Sequence, residues 1–222
     1  MMPSHTPVVV GHKANKKSLL LRFLELNLKI IEFDVREDRG NLVVRHGFHV
    51  GGTGVRSLIM SYGYLLIDGR DPIFKPSTLE EYLKIINGRA GVWLDVKSRG
   101  FEREAVERAL SSGVKEVIVS TGFHNMLRRV KEGYSSITAM LGNVDYRPAN
   151  PVKEVELAGA DGLSINIEFV DKELVEEMRS VGYKVAVWVV NDIAKARWLA
   201  QLGVDYIITD IPEKIVKVFL QA

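Results

Sequence analysis

The stretch KIIEFDV, residues 29–35, combines an apolar, β-branched run with two carboxylates. The apolar residues around Glu32 and Asp34 are typical of a short strand buried on both faces of a parallel sheet. Side chains alternate across a strand, so both carboxylates share one face and Phe33 lies on the other. A buried carboxylate must be neutralised, paired with a cation or bound to a metal. The stretch therefore indicates a sheet strand and a charged site at its end.

Similar runs recur along the chain, and helical patterns separate most of them. Strands are predicted at 7–11, 29–35, 91–97, 116–120, 136–141, 162–165, 184–190 and 206–209. Strands that alternate with helices pair in parallel through right-handed crossovers. Eight such units in roughly 200 to 250 residues are typical of an α/β protein with a (β/α)8 TIM barrel. A doubly wound open sheet is the alternative, because strand count alone does not close a barrel.

The segment 47–77 interrupts this alternation. It begins with the Gly-rich run GFHVGGTGV (47–55), has no clear periodicity and precedes the helical pattern TLEEYLKII (78–86). We expect a small insertion here, after the second strand and over the C-terminal mouth of the barrel, where functional loops collect. No linker divides the chain, so residues 1–222 are expected to form a single domain.

Composition narrows the function classes. The 30 Lys and Arg against 28 Asp and Glu give a net charge of +2, which provides no broad positive field for nucleic acid. Cys is absent, so disulfides, thiol nucleophiles and thiolate metal sites are excluded. The N-terminus lacks signal-peptide features, and no apolar run approaches the roughly 20 residues that span a bilayer. We expect a cytoplasmic protein without a stable membrane anchor or a nucleic-acid partner; its oligomeric state is unknown.

The polar residues at the predicted strand ends suggest a metal site. In a (β/α)8 barrel, functional side chains project from the C-terminal ends of the strands. His12 ends the first predicted strand, Glu32 and Asp34 end the second, and Asp95 and Lys97 end the third. Three carboxylates with one lysine leave excess negative charge, which a hard divalent cation with oxygen ligands balances. Mg²⁺ and Ca²⁺ both suit the site, Mn²⁺ is a further candidate, and an ion network with neighbouring Lys and Arg is the alternative.

Two histidines accompany this cluster. His46 ends the run LVVRH (42–46), which the turn EDRGN (37–41) folds back beside the second strand, and His12 precedes Lys13. Imidazoles that titrate near neutrality can deliver one proton and remove another, whereas a purely structural role is the alternative for each ring. A cation and Lys97 would stabilise charge on phosphoryl oxygens. The combination predicts phosphoester chemistry.

These residues resemble the glycerophosphodiester phosphodiesterase family in order and spacing. The family's opening His-Arg, its Glu-x-Asp and its Val-Val-x-His resemble His12-Lys13, Glu32-Phe33-Asp34 and Val43-Val44-Arg45-His46. The resemblance continues through GTGV (52–55), PSTLEE (76–81) and LDVK (94–97). It is strongest in VAVWVVND (185–192) and GVDYIITDIPE (203–213), which resemble the family's seventh and eighth strands. The similarity therefore extends over essentially the whole chain.

The resemblance implies a TIM barrel that hydrolyses glycerophosphodiesters to sn-glycerol 3-phosphate and an alcohol. Attack by the glycerol 2-hydroxyl, through a cyclic phosphate, is the expected route. The implied roles are divalent-metal ligands for Glu32, Asp34 and Asp95, acid and base for His12 and His46, and phosphate contacts for Lys13 and Lys97. Trp188 is a candidate wall of the pocket for the glycerol or alcohol group, or else an aromatic residue of the barrel core.

Several residues depart from the family pattern, among them NKKS (15–18), where the family has Pro-Glu-Asn-Thr, and three residues of or beside the predicted site. Lys13 replaces an arginine, so a point charge replaces a bidentate fork. Asp95 replaces a glutamate that is one methylene longer, and Gly47 replaces the aspartate after the second histidine. These differences support a second hypothesis, a catalytically weakened barrel that binds phosphorylated ligands. A third hypothesis, a lysophospholipase D-like phosphodiesterase, requires an apolar groove around 58–66.

Asp210 follows the eighth predicted strand and precedes a proline at position 212. Asp is favoured at the N-terminal cap of a helix, and Pro is favoured at the first helical position. The expected role of Asp210 is therefore to cap the last helix.

Overall fold

A computed structural model of the chain describes residues 6–46 and 76–220. Within these ranges the strands are β1 (Val8–Gly11), β2 (Ile30–Asp38), β3 (Asn41–Val44), β4 (Gly91–Val96), β5 (Val117–Thr121), β6 (Thr138–Val144), β7 (Gly162–Asn166), β8 (Lys184–Trp188) and β9 (Tyr206–Thr209). The helices are α1 (Lys17–Glu25), α2 (Leu79–Ile86), α3 (Glu102–Ser111), α4 (Leu127–Gly133), α5 (Pro151–Ala158), α6 (Lys172–Ser180), α7 (Ile193–Leu202) and α8 (Pro212–Leu220).

Eight of the strands described here form a closed parallel barrel. The order around the barrel is β1, β2, β4, β5, β6, β7, β8 and β9, and β9 pairs with β1. Closure depends on β1, which aligns Val10 with Ile30 of β2 and with Ile208 of β9. The predicted (β/α)8 TIM barrel is confirmed, and the open doubly wound sheet is wrong.

The additional strand, β3, forms a hairpin on the outer end of β2. It pairs antiparallel to β2 from Val35 with Val44 to Asp38 with Asn41. The connecting residues, at positions 39 and 40, have φ angles of 52° and 80°, as a type I′ turn requires. The predicted reversal at EDRGN is confirmed. The strand ends at Val44, so the expectation that His46 ends it is wrong by two residues.

Strand alternation separates two cores. The inner core fills the barrel and consists of Val10, Ile30, Trp93, Ile118, Met140, Ala186, Tyr206 and Ile208. The outer core lies between strands and helices, where Phe33 of β2 packs against Tyr82 of α2 with ring centroids 5.4 Å apart. Glu32 and Asp34 follow Ile30 on the inner face, above the apolar filling. The two buried carboxylates of β2 therefore lie toward the open end of the barrel.

The helices cover the barrel with short, well-terminated segments. The side chain of Thr78 caps α2 by accepting a hydrogen bond from the backbone N–H of Glu81, and Asp192 caps α7 through that of Lys195. Gly159 and Gly203 end α5 and α7 in the left-handed conformation that glycine tolerates best. In the described part of the chain, no helix combines the length and apolarity that crossing a membrane requires.

Most of the predicted insertion at 47–77 lies outside the described residues. Only its last two residues, Pro76 and Ser77, belong to the described part, where Val44 donates its backbone N–H to the Ser77 carbonyl at 2.8 Å. The apolar groove expected around 58–66 and the departure at Gly47 also lie outside it. The insertion over the mouth remains a prediction.

Gly162 provides a test of the strand packing. A Cβ at this position would lie 2.1 Å from the backbone carbonyl oxygen of Lys184 in β8. G162A should lower the free energy of unfolding by about 1–3 kcal/mol, as overpacking generally does. In the control G133A, at the end of α4, the new Cβ would meet the Arg103 guanidinium at an ordinary 3.6 Å. The free energy of unfolding of both variants is measured by urea unfolding. Equal stability of G162A and G133A would contradict this packing.

Candidate active site

Three carboxylates meet at the C-terminal mouth of the barrel. Glu32 and Asp34 project from β2, and Asp95 projects from β4 beside Asp34 in the strand register. One carboxylate oxygen of each lies within 4.8 Å of the others. Glu32 and Asp34 are only 4% and 1% exposed. The pairing of β2 with β4 thus brings Asp95 beside two carboxylates that lie far before it in the sequence.

Asp34 is the best-compensated of the three. Its Oδ2 atom accepts hydrogen bonds from Asn15 Nδ2 at 2.7 Å and from His46 Nδ1 at 2.9 Å. Its Oδ1 atom lies 3.4 Å from Lys97 Nζ. Burial alone would raise the pKa of Asp34, but these three partners together lower it to about 2. Asp34 is therefore ionised throughout the physiological range.

The environment of Glu32, unlike that of Asp34, favours the protonated form of the carboxyl group. The backbone N–H of Lys13, whose φ is 48°, donates to Glu32 Oε2 at 2.6 Å. Burial raises the pKa of Glu32 to about 7; His12 opposes this rise, and the charges of Asp34 and Asp95 add to it. Without a cation, Glu32 is therefore partly protonated at neutral pH. A nearby cation would displace that proton.

Asp95 has one compensated oxygen and one that lacks a partner. Its Oδ2 accepts a short hydrogen bond from Lys97 Nζ, which also donates to Asn143 Oδ1 at 3.0 Å. Its Oδ1 is buried and accepts no hydrogen bond of normal geometry within the described ranges, although the Ser120 side chain also favours the charged form of Asp95. Burial raises the pKa of Asp95 and would lower that of Lys97, but the charge of Asp95 raises the Lys97 pKa overall. An uncompensated oxygen beside two other carboxylates fits a hard divalent cation.

Each histidine has a carboxylate at Nδ1. His12 Nδ1 lies 2.7 Å from Asp210 Oδ1, and His46 Nδ1 binds Asp34. His46 Nε2 lies 3.5 Å from Lys13 Nζ. Burial would lower the pKa of His12, but the Asp210 hydrogen bond and nearby negative charge raise it overall. Both rings are thus oriented by an aspartate and border the same cavity.

The cavity is lined by all the residues that the sequence predicts for the site: His12, Lys13, Glu32, Asp34, His46, Asp95, Lys97 and Trp188. Trp188 combines both of its predicted positions, because it borders the cavity and also packs against the inner core. The carboxylates of β2 and β4 and Lys97 reach the cavity because side-chain alternation, as predicted, directs them to the inner face of the barrel.

Sequence reasoning missed two amides. Asn15 donates to Asp34 from the loop after β1, and its Oδ1 accepts the Asp34 backbone N–H at 2.9 Å. Asn143 binds Lys97 from an irregular part of β6, where the register shifts between Leu141 and Val144 and the Asn143 φ is 56°. Asn tolerates positive φ better than most residues, but the sequence does not mark where a strand becomes irregular.

The expected helix-capping role of Asp210 is wrong. Its Oδ1 binds His12, and its Oδ2 accepts from Asn191 Nδ2 at 2.7 Å. The helix α8 begins at Pro212, and the N–H of Lys214 bonds the carbonyl of Ile211 instead. The signal that was overlooked is barrel closure: His12 follows β1, Asp210 follows β9, and these two strands must be neighbours in a closed barrel.

The closed parallel barrel and the acidic cluster at its mouth define a (β/α)8-barrel protein with its functional groups on the strand ends. A model of the glycerophosphoryl diester phosphodiesterase family matches residues 95–214, more than half of the chain. The chain belongs to this family, which assigns it to the phosphoric diester hydrolases. A search of curated proteins finds no match.

Solved structures of the same fold cover nearly the whole chain. A phosphodiesterase from Oleispira antarctica, in complex with the product sn-glycerol-3-phosphate, is 21% identical with a TM-score of 0.74, covering 96% of this chain and 97% of its own. A glycerophosphodiester phosphodiesterase from Parabacteroides distasonis is 21% identical with a TM-score of 0.75, covering 97% of this chain and 98% of its own. Another, from Thermotoga maritima, is 23% identical with a TM-score of 0.66, covering 96% of this chain and 99% of its own. At these identities, the similarity establishes the fold.

The Glu32 pKa predicts how stability depends on pH without metal. The folded-state pKa of about 7 lies above the usual 4.5, so the folded chain retains a proton that the unfolded chain releases. The contribution of Glu32 to the free energy of unfolding should be fully present below pH 4.5 and lost as pH rises through about 7.

Urea unfolding in EDTA from pH 4.5 to 8 measures this contribution as the difference between wild type and E32Q. The variant should lack the decrease, because the glutamine amide does not titrate. Parallel pH profiles would contradict the inferred environment of Glu32.

Proposed function

We propose that this chain is a metal-dependent glycerophosphodiester phosphodiesterase in which His12 and His46 act as general acid and base. The products would be sn-glycerol 3-phosphate and an alcohol. The observation that carries the proposal is the position of two aspartate-bound histidines beside an acidic cluster and Lys97 at one barrel mouth.

Glu32, Asp34 and Asp95 would hold the cation. The fit rests on their oxygen spacing and on the buried Asp95 Oδ1, which accepts no hydrogen bond of normal geometry among the described residues. When bound, a divalent cation polarises the phosphoryl oxygens and stabilises developing charge. Mg²⁺ and Ca²⁺ are the favoured candidates and Mn²⁺ is the third, since all three accept oxygen ligands.

Lys97 and Lys13 would bind the phosphate. Lys97 Nζ is held between Asp95 and Asn143, so its position is fixed before a ligand arrives. Lys13 Nζ reaches the same region beside His46 Nε2. An ammonium supplies a point charge rather than the planar fork of arginine, so Lys13 would attract phosphate without fixing its orientation. Trp188 would provide an apolar wall for the glycerol or alcohol group.

The environments of the histidines favour different roles. His12 has a raised pKa, so its charged form can give a proton to the leaving alcohol oxygen. With a proton on Nδ1 donated to Asp34, His46 would present an unprotonated Nε2 that can remove the proton from the glycerol 2-hydroxyl. The 2-hydroxyl oxygen would then bond to phosphorus while the bond to the alcohol oxygen breaks. Water would then attack the phosphorus of the cyclic phosphate while the bond to the 2-oxygen breaks, with His12 removing a proton from water and His46 returning one to the 2-oxygen.

Turnover assays test the reaction directly. Glycerophosphoglycerol, glycerophosphocholine and glycerophosphoethanolamine are incubated with Mg²⁺, Mn²⁺ or Ca²⁺, and sn-glycerol 3-phosphate is measured. H12Q and H46Q should each lower kcat by about 10² to 10⁴, the usual contribution of general acid–base catalysis. H124Q is the matched control, because His124 binds the Gly142 carbonyl at 2.9 Å and does not line the cavity.

Two outcomes would favour the alternatives. Tight calorimetric binding of these diesters without turnover under any metal condition would support a barrel that only binds phosphorylated ligands. Faster turnover of lysophosphatidylcholine than of every glycerophosphodiester would support a lysophospholipase D-like activity. Wild-type kcat in H12Q would contradict acid–base catalysis by that ring.

Metal binding can be tested without activity. D95N keeps the shape of the side chain but removes its charge, so calorimetry should show at least about tenfold weaker binding of Mg²⁺ or Ca²⁺. Loss of a residue that only hydrogen-bonds to a metal ligand already weakens binding by about 10- to 100-fold. D145N is the matched control, because exposed Asp145 accepts from Asn166 Nδ2 at 2.7 Å outside the cluster. Equal affinities would exclude Asp95 as a ligand.

A further inference from the structure

A hydrogen-bonded chain connects His12 to the loop after β8. His12 Nδ1 contacts Asp210 Oδ1 at 2.7 Å, and Asp210 Oδ2 contacts Asn191 Nδ2 at 2.7 Å. The Asn191 Oδ1 atom receives the backbone N–H of Asp210 at 3.0 Å and the hydroxyl of Thr209 at 3.1 Å. Four residues from the ends of three neighbouring strands, β1, β9 and β8, therefore form one continuous network.

The donors in this network fix the orientation of the Asn191 amide. A backbone N–H can only donate, so the atom that receives the Asp210 N–H must be the Asn191 oxygen. The Thr209 hydroxyl accepts the Ile211 N–H at 3.1 Å, which leaves its proton for the same Asn191 oxygen. The Asn191 NH2 group must then face Asp210 and occupy its Oδ2. The other carboxylate oxygen of Asp210, Oδ1, contacts His12.

The same reasoning extends to the imidazole. A carboxylate can only accept, so His12 must carry a proton on Nδ1 to bond Asp210. The described residues offer His12 Nε2 no hydrogen-bond partner, and the ring borders the cavity. Nε2 is therefore the ring atom that is available to a ligand.

We propose that Asn191 and Asp210 form a positioning pair that fixes the His12 tautomer, with Nδ1 protonated toward Asp210 and Nε2 directed to the reacting oxygen. The pair touches neither the acidic cluster nor the phosphate-binding lysines in the described structure. It deepens the proposed phosphodiesterase function and rests on it for the identity of the reaction. The tautomer itself is independent of that function.

The network predicts an unusual order of variant effects. In D210N, the Asn191 NH2 still demands an oxygen, so the introduced amide must turn its own NH2 toward His12 Nδ1. That donor would favour the tautomer with the proton on Nε2 and oppose the charged ring. D210A removes the carboxylate without presenting a donor, and water can replace part of the bond because the Asp210 side chain is 50% exposed. The isosteric change should therefore be more harmful than truncation.

Exchanging the two side chains should restore the order of donors and acceptors. In D210N/N191D, the carboxylate at position 191 accepts hydrogen bonds from the backbone N–H and from the side-chain NH2 group of position 210. The amide oxygen at position 210 is then free to accept from His12 Nδ1. Because net charge is conserved, a recovery relative to D210N would report hydrogen-bond direction rather than charge.

The experiment combines ¹⁵N-resolved NMR of the His12 ring with steady-state kinetics on the turnover substrates. At a pH where the ring is neutral, wild type and the exchanged variant should carry the proton on Nδ1, D210N on Nε2, and D210A a mixture. We expect kcat to be about 100-fold below wild type in D210N, about tenfold below in D210A and within about tenfold of wild type in the exchanged variant, with smaller changes in KM. These losses are within the factor of about 10² to 10⁴ that general acid–base catalysis contributes in all. D192N is the matched control, because asparagine also caps helices and Asp192 caps α7 beside Asn191.

The outcomes separate this proposal from the proposed function. The predicted tautomers without turnover in wild type would support the positioning pair and overturn the phosphodiesterase. Turnover in wild type with the Nδ1 tautomer retained in D210N would overturn the pair and leave the phosphodiesterase standing. Equal loss of kcat in D210N, D210A and the exchanged variant would also overturn it, and far-UV circular dichroism confirms that each variant is folded.

Discussion

The site depends on one constraint, the pairing of β1 with strands from both ends of the chain. The backbone of β1 aligns Gly11 with Ile31 of β2 and with Thr209 of β9. The loop that follows continues these connections, because His12 N–H bonds the Thr209 carbonyl and Ala14 N–H bonds the Glu32 carbonyl, both at 2.9 Å. His12 is thus fixed between the acidic cluster on one side and Asp210 on the other. An open sheet would separate these groups.

The barrel accommodates three carboxylates because each has a different means of compensation. Asp34 receives hydrogen bonds and remains ionised, Glu32 takes up a proton, and Asp95 pairs with Lys97. Beneath them, the apolar inner core excludes water and strengthens every charge interaction at the mouth. A cation would replace the Glu32 proton and use the buried Asp95 oxygen. The same three residues therefore provide two charge states, one protonated and one suited to a metal.

Local sequence patterns predict the strands and the inward faces of β2 and β4, because burial and side-chain alternation act over a few residues. They do not predict Asp210 as the partner of His12, since that contact joins positions 198 residues apart and depends on closure. Nor do they predict Asn143, which reaches Lys97 only because β6 is irregular there. From the sequence, the replacement of the family glutamate by Asp95 was expected to weaken the metal site. Its oxygen nevertheless lies within 4.8 Å of those of Glu32 and Asp34, because the register of β2 and β4 places Asp95 beside Asp34.

The two histidine–aspartate pairs differ in a way that bears on their roles. Asp34 binds His46 Nδ1 and also belongs to the acidic cluster, so one carboxylate would serve both the ring and a bound cation. Asp210 lies outside the cluster and has only His12 and Asn191 as side-chain partners among the described residues. Its negative charge is therefore available to His12 whether or not a cation is present. A ring with such a constant counter-charge is suited to hold a proton as the acid.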